Sequence, residues 1–522
     1  MSIKILDCTL RDGGYINDWQ FGRRRITGVI NGLTVAGVDI VECGFLQSKT
    51  HSTEQSLYNS VKEVESVLPL ENESTEYVAM MDSGAFDVSK LSLNESSKLS
   101  GIRVVFHENQ ADAALEECRL IKEKGYKAFL QPMGTDAYSD KALLGLIEKA
   151  NEIEPYAFYF VDSLGVMNGD DVIRLALLIH NNLKASITLG FHTHNNLQLA
   201  YSNIQKLISM SLKRDIIVDS SVYGMGRGAG NLNTELIASY LNENFETDYD
   251  VDQILRVYDE YIRSLREEFT WGYSIPYYLA AVHKCHPNYG TYMINRATLP
   301  VTDVGLLLSK IPTPNKRFYS EKLIEDLYVD FIANKVDDSK SYEELKQCLL
   351  AKQILLLGPG KSLVTHTSVI NDFIAKTHPV VITVNHVTDK YPINYAFYSN
   401  RKRFEEQGHA SIEYILTSNV ISAENNSLVF DYMTLCNQWG VFSDNSALML
   451  ISLLLRLGCE SVSVAGLDGY SGDDYYEREL QNISDHEWQN STNSMVTKAI
   501  MQYAKNMTIN FITPSIYDKG LK

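Results

Sequence analysis

The sequence holds no pair of cysteines spaced as a metal clip or a redox motif. Its seven cysteines stand at 8, 43, 118, 285, 348, 436 and 459, and no two have CxxC spacing. An odd, scattered set reads as reduced thiols of a cytoplasmic protein. Long hydrophobic runs are missing too. The longest, Ala447–Leu455 (ALMLISLLL), is too short to span a bilayer. The opening residues MSIKILDCTLRDGG reach Asp7 and Arg11 after only a short apolar run, which is not the pattern of a secretory signal. Positive charge is scarce: 47 Lys and Arg face 65 Asp and Glu, giving a formal net charge of −18 and a pI of about 5.2. Such a surface repels nucleic acid and anionic membranes, so neither is an expected partner. A local basic pocket for a phosphorylated or carboxylated substrate is compatible with it. Internal repeats and low-complexity tracts are absent.

What is present is ordinary globular composition, 45% hydrophobic and 21% charged. A chain of 522 residues exceeds one core and predicts two to four domains. Through about residue 245, short β-rich runs alternate with amphipathic segments. The runs are Ile3–Cys8, Asp39–Phe45, Tyr77–Met81, Ile102–Phe106, Ala128–Pro132, Ala157–Val161, Ile187–Phe191 and Ile216–Val218. They lack the alternation of a half-exposed strand, which suits strands covered on both faces. Segments such as Asp112–Lys124 and Asp140–Glu152 have helical spacing. Eight strand–helix units predict a (β/α)₈ barrel, with an open doubly wound sheet as the competing arrangement. Residues 246–335 read as a helical, aromatic-rich extension from which a Tyr or His can reach over the barrel mouth. Asn334–Glu344 reads as a linker running into a helix. Residues 350–522 read as a second, Rossmann-like α/β domain, with strands at Ile354, Val380–Val384, Tyr395–Tyr398, Ile412–Leu416 and Ser461–Ala465, and a helix at Ser446–Leu457.

The chemistry gathers at predicted strand ends. LDCTLRDGG places Arg11 and Asp12 after the first strand, and GFHTHNN places His192 and His194 at the end of the seventh. Two histidines two residues apart on a strand project to the same face. With Asp12 opposite, they offer two imidazoles and a carboxylate and leave positions open for substrate. Such mixed ligation suits Mn²⁺, Mg²⁺, Co²⁺ or Zn²⁺, and Mn²⁺ is the first expectation. After the eighth strand comes VYGMGRGAGN, whose Gly228 and Gly230 permit close backbone approach to a ligand. It reads either as a phosphate-cradling turn or as the source of a fourth ligand, Asn231. FVDSLG ends the sixth strand and directs Asp162 and Ser163 to the mouth as substrate contacts.

The order TLRDGG, HTHNN, GMGRGAGN resembles the DRE-TIM metallolyase superfamily, which includes 3-hydroxy-3-methylglutaryl-CoA lyase, 4-hydroxy-2-oxovalerate aldolase and the isopropylmalate and citramalate synthases. The resemblance spans about residues 1–245, and HKCHPNY at 283–289 looks like the extension of the aldolase members. It implies Asp12, His192 and His194 as metal ligands, with Asn231 completing the sphere. It also implies Arg11 as the cation that stabilises an enolate oxygen, and Glu42 as the group that orients Arg11 or a metal-bound water. One departure stands out. Those aldolases place a catalytic histidine three residues after the metal aspartate, and this chain has Tyr15. Its ordinary pKa near 10 suits a base at neutral pH less well; His51, His107, His283 and His286 are other candidates. The Gly-rich loop also lacks the acyl-CoA lyase cysteine.

In the second half, LLLGPGKS lacks the Walker and GxGxxG spacings, but a turn of this kind can offer backbone N–H groups to a phosphate. With VNH at 384–386, YSNR at 398–401 and AGLDGY at 465–470, it resembles bacterial sialyltransferases and pterin-pyrophosphokinase-like domains. That resemblance implies a nucleotide or nucleotide-sugar pocket lined by Gly358, Gly360, Ser362, Asn385, Asn400 and Asp468, binding rather than transferring. The expected function is a metal-dependent aldolase or lyase acting through the enolate of a 2-oxo acid with an aldehyde or sugar partner, in a homo-oligomer, in polysaccharide biosynthesis. The alternatives are a Claisen-type acyltransferase using acetyl-CoA, and a glycosyltransferase or nucleotide-sugar binder with a silent barrel.

Overall fold

A computed structural model describes residues 2–70, 74–296, 298–407, 412–420, 427–438, 441–471 and 486–520. The chain divides into two compact units, Met1–Asn288 and Tyr289–Lys522. The helical stretch read as 246–335 is thus shared between them.

The first unit is a closed parallel barrel. Its strands are β1 (Ile3–Asp7), β2 (Ile40–Leu46), β3 (Glu76–Asp82), β4 (Leu99–Phe106), β5 (Lys127–Pro132), β6 (Ala157–Asp162), β7 (Thr188–Thr193) and β8 (Ile216–Ser220). Each pairs with the next. β1 closes the ring by pairing with both β8, Ile3 opposite Ile216 through Asp7 opposite Ser220, and β2, Asp7 opposite Val41. Every expected run became a strand because its residues are branched or aromatic and covered on both sides. The outward faces join the crossover helices in one large core, including Val41, Val104, Leu130, Phe160 and Leu189. The inward faces of Leu6, Val78, Phe129, Ala157, Tyr159 and Ile217 fill the lumen.

Crossover helices such as Ala111–Glu123 and Asp140–Ile153 lie where helical spacing placed them. The regular eight-unit pattern fails between β3 and β4. There the connection holds one 3-10 turn, Val88–Lys90, because its Ser-rich sequence, with Asp87 and Asn94, favours local side-chain-to-backbone bonds over a helix. Asp87, for one, accepts from the Ser89 N–H at 3.1 Å. Phe86, Val88 and Leu91 still cover the strands.

The second unit holds a seven-stranded, wholly parallel sheet: β9 (Ile354–Leu357), β10 (Val380–Val384), β11 (Tyr395–Tyr398), β12 (Glu413–Thr417), β13 (Ser427–Phe430), β14 (Ser461–Ala465) and β15 (Thr508–Phe511). The order is β13-β12-β11-β10-β9-β14-β15. The direction of winding therefore reverses between β9 and β14, the place where open α/β sheets form a crevice. Helices Ser339–Leu349 and Ser446–Arg456 agree with the sequence reading. Among the described residues, no helix is long and apolar enough to cross a membrane.

Candidate metal centre

After β1 the chain makes one helical turn, Thr9–Asp12, closed by the Asp12 N–H on the Cys8 carbonyl at 2.8 Å. The turn brings Arg11 and Asp12 over the barrel mouth. Trp19 Nε1 donates to the Arg11 carbonyl at 2.8 Å and holds the turn in place. His192 and His194 come from the end of β7, and Asn231 from the loop after β8.

Asp12, His192 and His194 are all buried, and one ligand atom from each lies within 4.8 Å of the others. His194 Nε2 stands 3.6 Å from Asp12 Oδ2. Each imidazole is tied by its other nitrogen. His192 Nδ1 donates to Asp219 Oδ2 at 2.9 Å, and His194 Nδ1 donates to the Asp162 carbonyl at 3.0 Å. In these tautomers both Nε2 lone pairs are available, the arrangement that metal-binding histidines adopt. Burial lowers the His192 pKa against the pull of Asp219, which favours the neutral ring a metal needs. Burial would raise Asp12, but Arg11 and His194 hold its carboxyl well below the usual range.

Two further observations fit a cation. Asn231 Nδ2 donates to Asp12 Oδ2 at 2.6 Å, while its Oδ1 is buried without a hydrogen-bond partner. Gly226 lies against this pair: a Cβ there would stand 2.4 Å from Asn231 Nδ2 and 2.8 Å from Asp12 Oδ2. Any side chain at 226 would push the ligand set apart.

Arg11 and Glu42 meet as expected. Arg11 Nε donates to Glu42 Oε2 at 2.7 Å, and Nη1 reaches Asp12. Arg11 Nη2 is buried and unpaired. Beneath them lies a fully buried arginine that the sequence reading missed. Arg103 on β4 pairs with Glu42 at 3.0 Å and with Asp219, and its guanidinium lies 4.6 Å from the Tyr159 ring centroid. A chain of alternating charge thus runs Arg11–Glu42–Arg103–Asp219–His192. Asp219, two residues beyond the inward Ile217 on β8, faces the same way.

The remaining predicted residues are placed as follows. Asp162 turns into its own loop, and its two oxygens accept from the Val166 and Met167 N–H groups at 2.8 and 3.0 Å. Burial pushes its pKa up to about 6. Ser163 Oγ accepts from the Gly134 N–H at 2.9 Å. The Gly230 carbonyl accepts from Asn195 at 2.7 Å and the Gly228 carbonyl from Gly272 at 3.2 Å. Trp271 Nε1 also donates to the Tyr223 carbonyl at 3.3 Å, so the helical segment beyond the barrel is fastened to the Gly-rich loop. Tyr15 is 42% exposed. Its desolvated phenol is raised above 10 despite Arg227 and Arg11, which counts against a role as base. His286 is held down to about 3 by burial, with Arg227 and His194 adding to it.

In the second unit, Gly358, Gly360, Ser362 and Asp468 converge at the β9–β14 switch, and Asn385 and Asn400 lie together after β10 and β11. The phosphate cradle expected of the GPGKS turn is closed by the protein itself. The Gly358 and Gly360 N–H groups donate to the Ala465 and Gly466 carbonyls at 2.8 and 2.7 Å, and the Ser362 N–H donates to Asp468 Oδ2 at 2.7 Å. Asn385 Oδ1 accepts from the Ser399 and Asn400 N–H groups at 3.1 and 3.3 Å, and Asn400 Oδ1 caps the following helix at Arg403 at 3.1 Å.

A closed parallel barrel with this buried Asp–His–His group at its mouth could hold a divalent metal ion, and its likeness to proteins named as aldolases makes it a metal-dependent lyase. Its N-terminal region is an HMGL-like domain of the DRE-TIM type: the HMGL-like family model matches residues 2–260. Among curated relatives, 4-hydroxy-2-oxovalerate aldolase 2 of Comamonas testosteroni is 28% identical over 305 residues, 55% of this chain and 85% of that protein. The 4-hydroxy-2-oxovalerate aldolase of Bacillus cereus strain ATCC 10987 is 29% identical over 273 residues, 50% of this chain and 76% of its own. Among solved structures, HMG-CoA lyase of Brucella melitensis is 18% identical, with 51% of this chain and 99% of that one covered at a TM-score of 0.41.

Proposed function

We propose that the protein makes or breaks the C3–C4 bond of a 4-hydroxy-2-oxo acid through the enolate of a pyruvate-type 2-oxo acid. One observation carries this reading: the donor atoms of Asp12, His192 and His194 converge within 4.8 Å beside an Arg11 whose Nη2 is buried without a protein partner. A divalent ion held by these three residues and Asn231, Mn²⁺ in the first instance, would polarise the 2-oxo group as a Lewis acid. Arg11, aimed by Glu42, stabilises the negative charge that develops on the enolate oxygen as the bond breaks. In cleavage, the C4 hydroxyl loses a proton, the C3–C4 electron pair moves into the enolate, and C3 regains a proton. The aldehyde and the 2-oxo acid then leave. Tyr15, which keeps its proton at neutral pH, suits the donor step. Ser163 is assigned to substrate contact. Asp162 shapes the loop that carries it and orients His194.

The test needs no aldehyde. Metal-stripped protein reloaded with Mn²⁺ is expected to exchange the C3 protons of pyruvate with deuterium, followed by NMR, and the apoprotein is not. Absence of exchange with pyruvate and other 2-oxo acids would sink the reading.

We further assign a catalytic barrel within 1–245, a helical extension over 246–335, and a nucleotide- or nucleotide-sugar-binding domain over 350–522, in a homo-oligomer that works on a sugar. The reversal of winding between β9 and β14, where open α/β sheets form a crevice, supports the binding role. CMP, UDP or GDP is expected to raise the melting temperature of the second unit. If none of the three shifts it, the assignment fails.

A further inference from the structure

Arg227 stands apart from the other arginines of the barrel mouth. Arg11 and Arg103 are each bound to two carboxylates. Arg227 forms no ion pair among the described residues, and its Nε is buried without a partner. Yet this chain carries 65 acidic side chains against 47 basic ones, so counter-charges are not scarce. Its guanidinium lies 5.3 Å from the Tyr15 ring centroid. It sits in the loop whose Gly226 touches Asp12 and Asn231, and Pro287 closes over the neighbouring Gly228, 3.3 Å from where a Cβ would stand. The Tyr15 phenol under it keeps its proton, the His286 imidazole is held neutral, and the nearby Asp12 carboxylate is engaged by Arg11 and Asn231. A partly desolvated guanidinium without a counter-ion is costly, and its planar fork matches an oxyanion.

We propose that Arg227 anchors a carboxylate or phosphate on the aldehyde fragment, so that the partner joined to the 2-oxo acid is an anion. The inference rests on the aldolase reading above. Arg11 is 4% exposed, at the floor of the mouth, where the reacting end of the 2-oxo acid belongs. Arg227 lies over the exposed Tyr15, where the far end of the partner would reach.

The experiment measures kcat/KM for addition of pyruvate to matched aldehydes by the Mn²⁺-loaded full-length protein. Glyceraldehyde 3-phosphate is compared with glyceraldehyde, and succinic semialdehyde with pentanal, so that the two arms separate phosphate from carboxylate. In one arm the anionic aldehyde is expected to exceed its neutral counterpart by about 100-fold. In Arg227→Met, which keeps the apolar stem on Tyr15, that ratio is expected to fall towards one, and Arg227→Lys is expected to restore part of it. No anionic preference in either arm, or no turnover of either anionic aldehyde, overturns the proposal. So does an unchanged ratio in Arg227→Met, or a variant whose only defect is a raised KM for pyruvate in proton exchange, which would place Arg227 on the 2-oxo acid instead. Wild-type protein without metal-dependent exchange is a separate result: it removes the aldolase reading and this inference with it.

Discussion

Arg11→Ala is expected to cut metal-dependent C3 exchange of pyruvate by about 10²–10³-fold, the loss typical of a donor aimed at a developing oxyanion. The unpaired Nη2 is the group that disappears, while the ligand atoms of His192 and His194 stay in place. The same change leaves Glu42 and Asp12 without their shared cation, so some stability is lost with the activity. Arg11→Lys separates the two effects. A lysine keeps one positive charge near the carboxylates but not the fork that reaches Glu42 and Asp12 while presenting a third nitrogen. Restored melting temperature without restored exchange identifies the free nitrogen as the working part. Exchange rates in Arg11→Ala close to wild type would remove Arg11 from the reaction.

The second large effect lies under the site. Arg103→Met is expected to destabilise the first unit by about 3–5 kcal/mol, because the buried Asp219 loses its arginine and faces Glu42, which keeps only Arg11, with no cation between them. For a unit of this size that is a fall in its thermal transition on the order of 10 °C. Asp219 also orients His192, so metal affinity is expected to weaken by about 10–100-fold, read by competition with a chromogenic chelator. A variant that melts and binds metal like the wild type would show that the buried chain of charges is dispensable.

The parts of this site that could be read in the sequence share one property: their meaning is local. Arg11 and Asp12 are adjacent, His192 and His194 are spaced to share a face, and Asn231 ends a glycine-rich run. Arg103 and Asp219 are 116 residues apart, and each sits singly in an apolar strand where it reads as a surface residue. Only closure of the barrel turns both inward. The same limit explains the second sheet. Its inner strands were legible as apolar runs, whereas Ser427–Phe430 and Thr508–Phe511, which flank it, are short and half-buried and carry little signal. The GPGKS turn was legible as a tight turn but not as one already filled, because its partner Asp468 lies 106 residues away.

The buried chain of charges also bears on the order in which the site fills. Without metal, Arg11 and Arg103 face Asp12, Glu42 and Asp219, a formal charge of −1 with neutral histidines. This cluster at the floor attracts a divalent cation and disfavours an anion beside it, while the uncompensated Arg227 stands at the rim. Once the cation is in, the balance becomes positive and the preference inverts. The order of the first two additions is thereby written into the electrostatics of the barrel floor: metal enters before the 2-oxo acid.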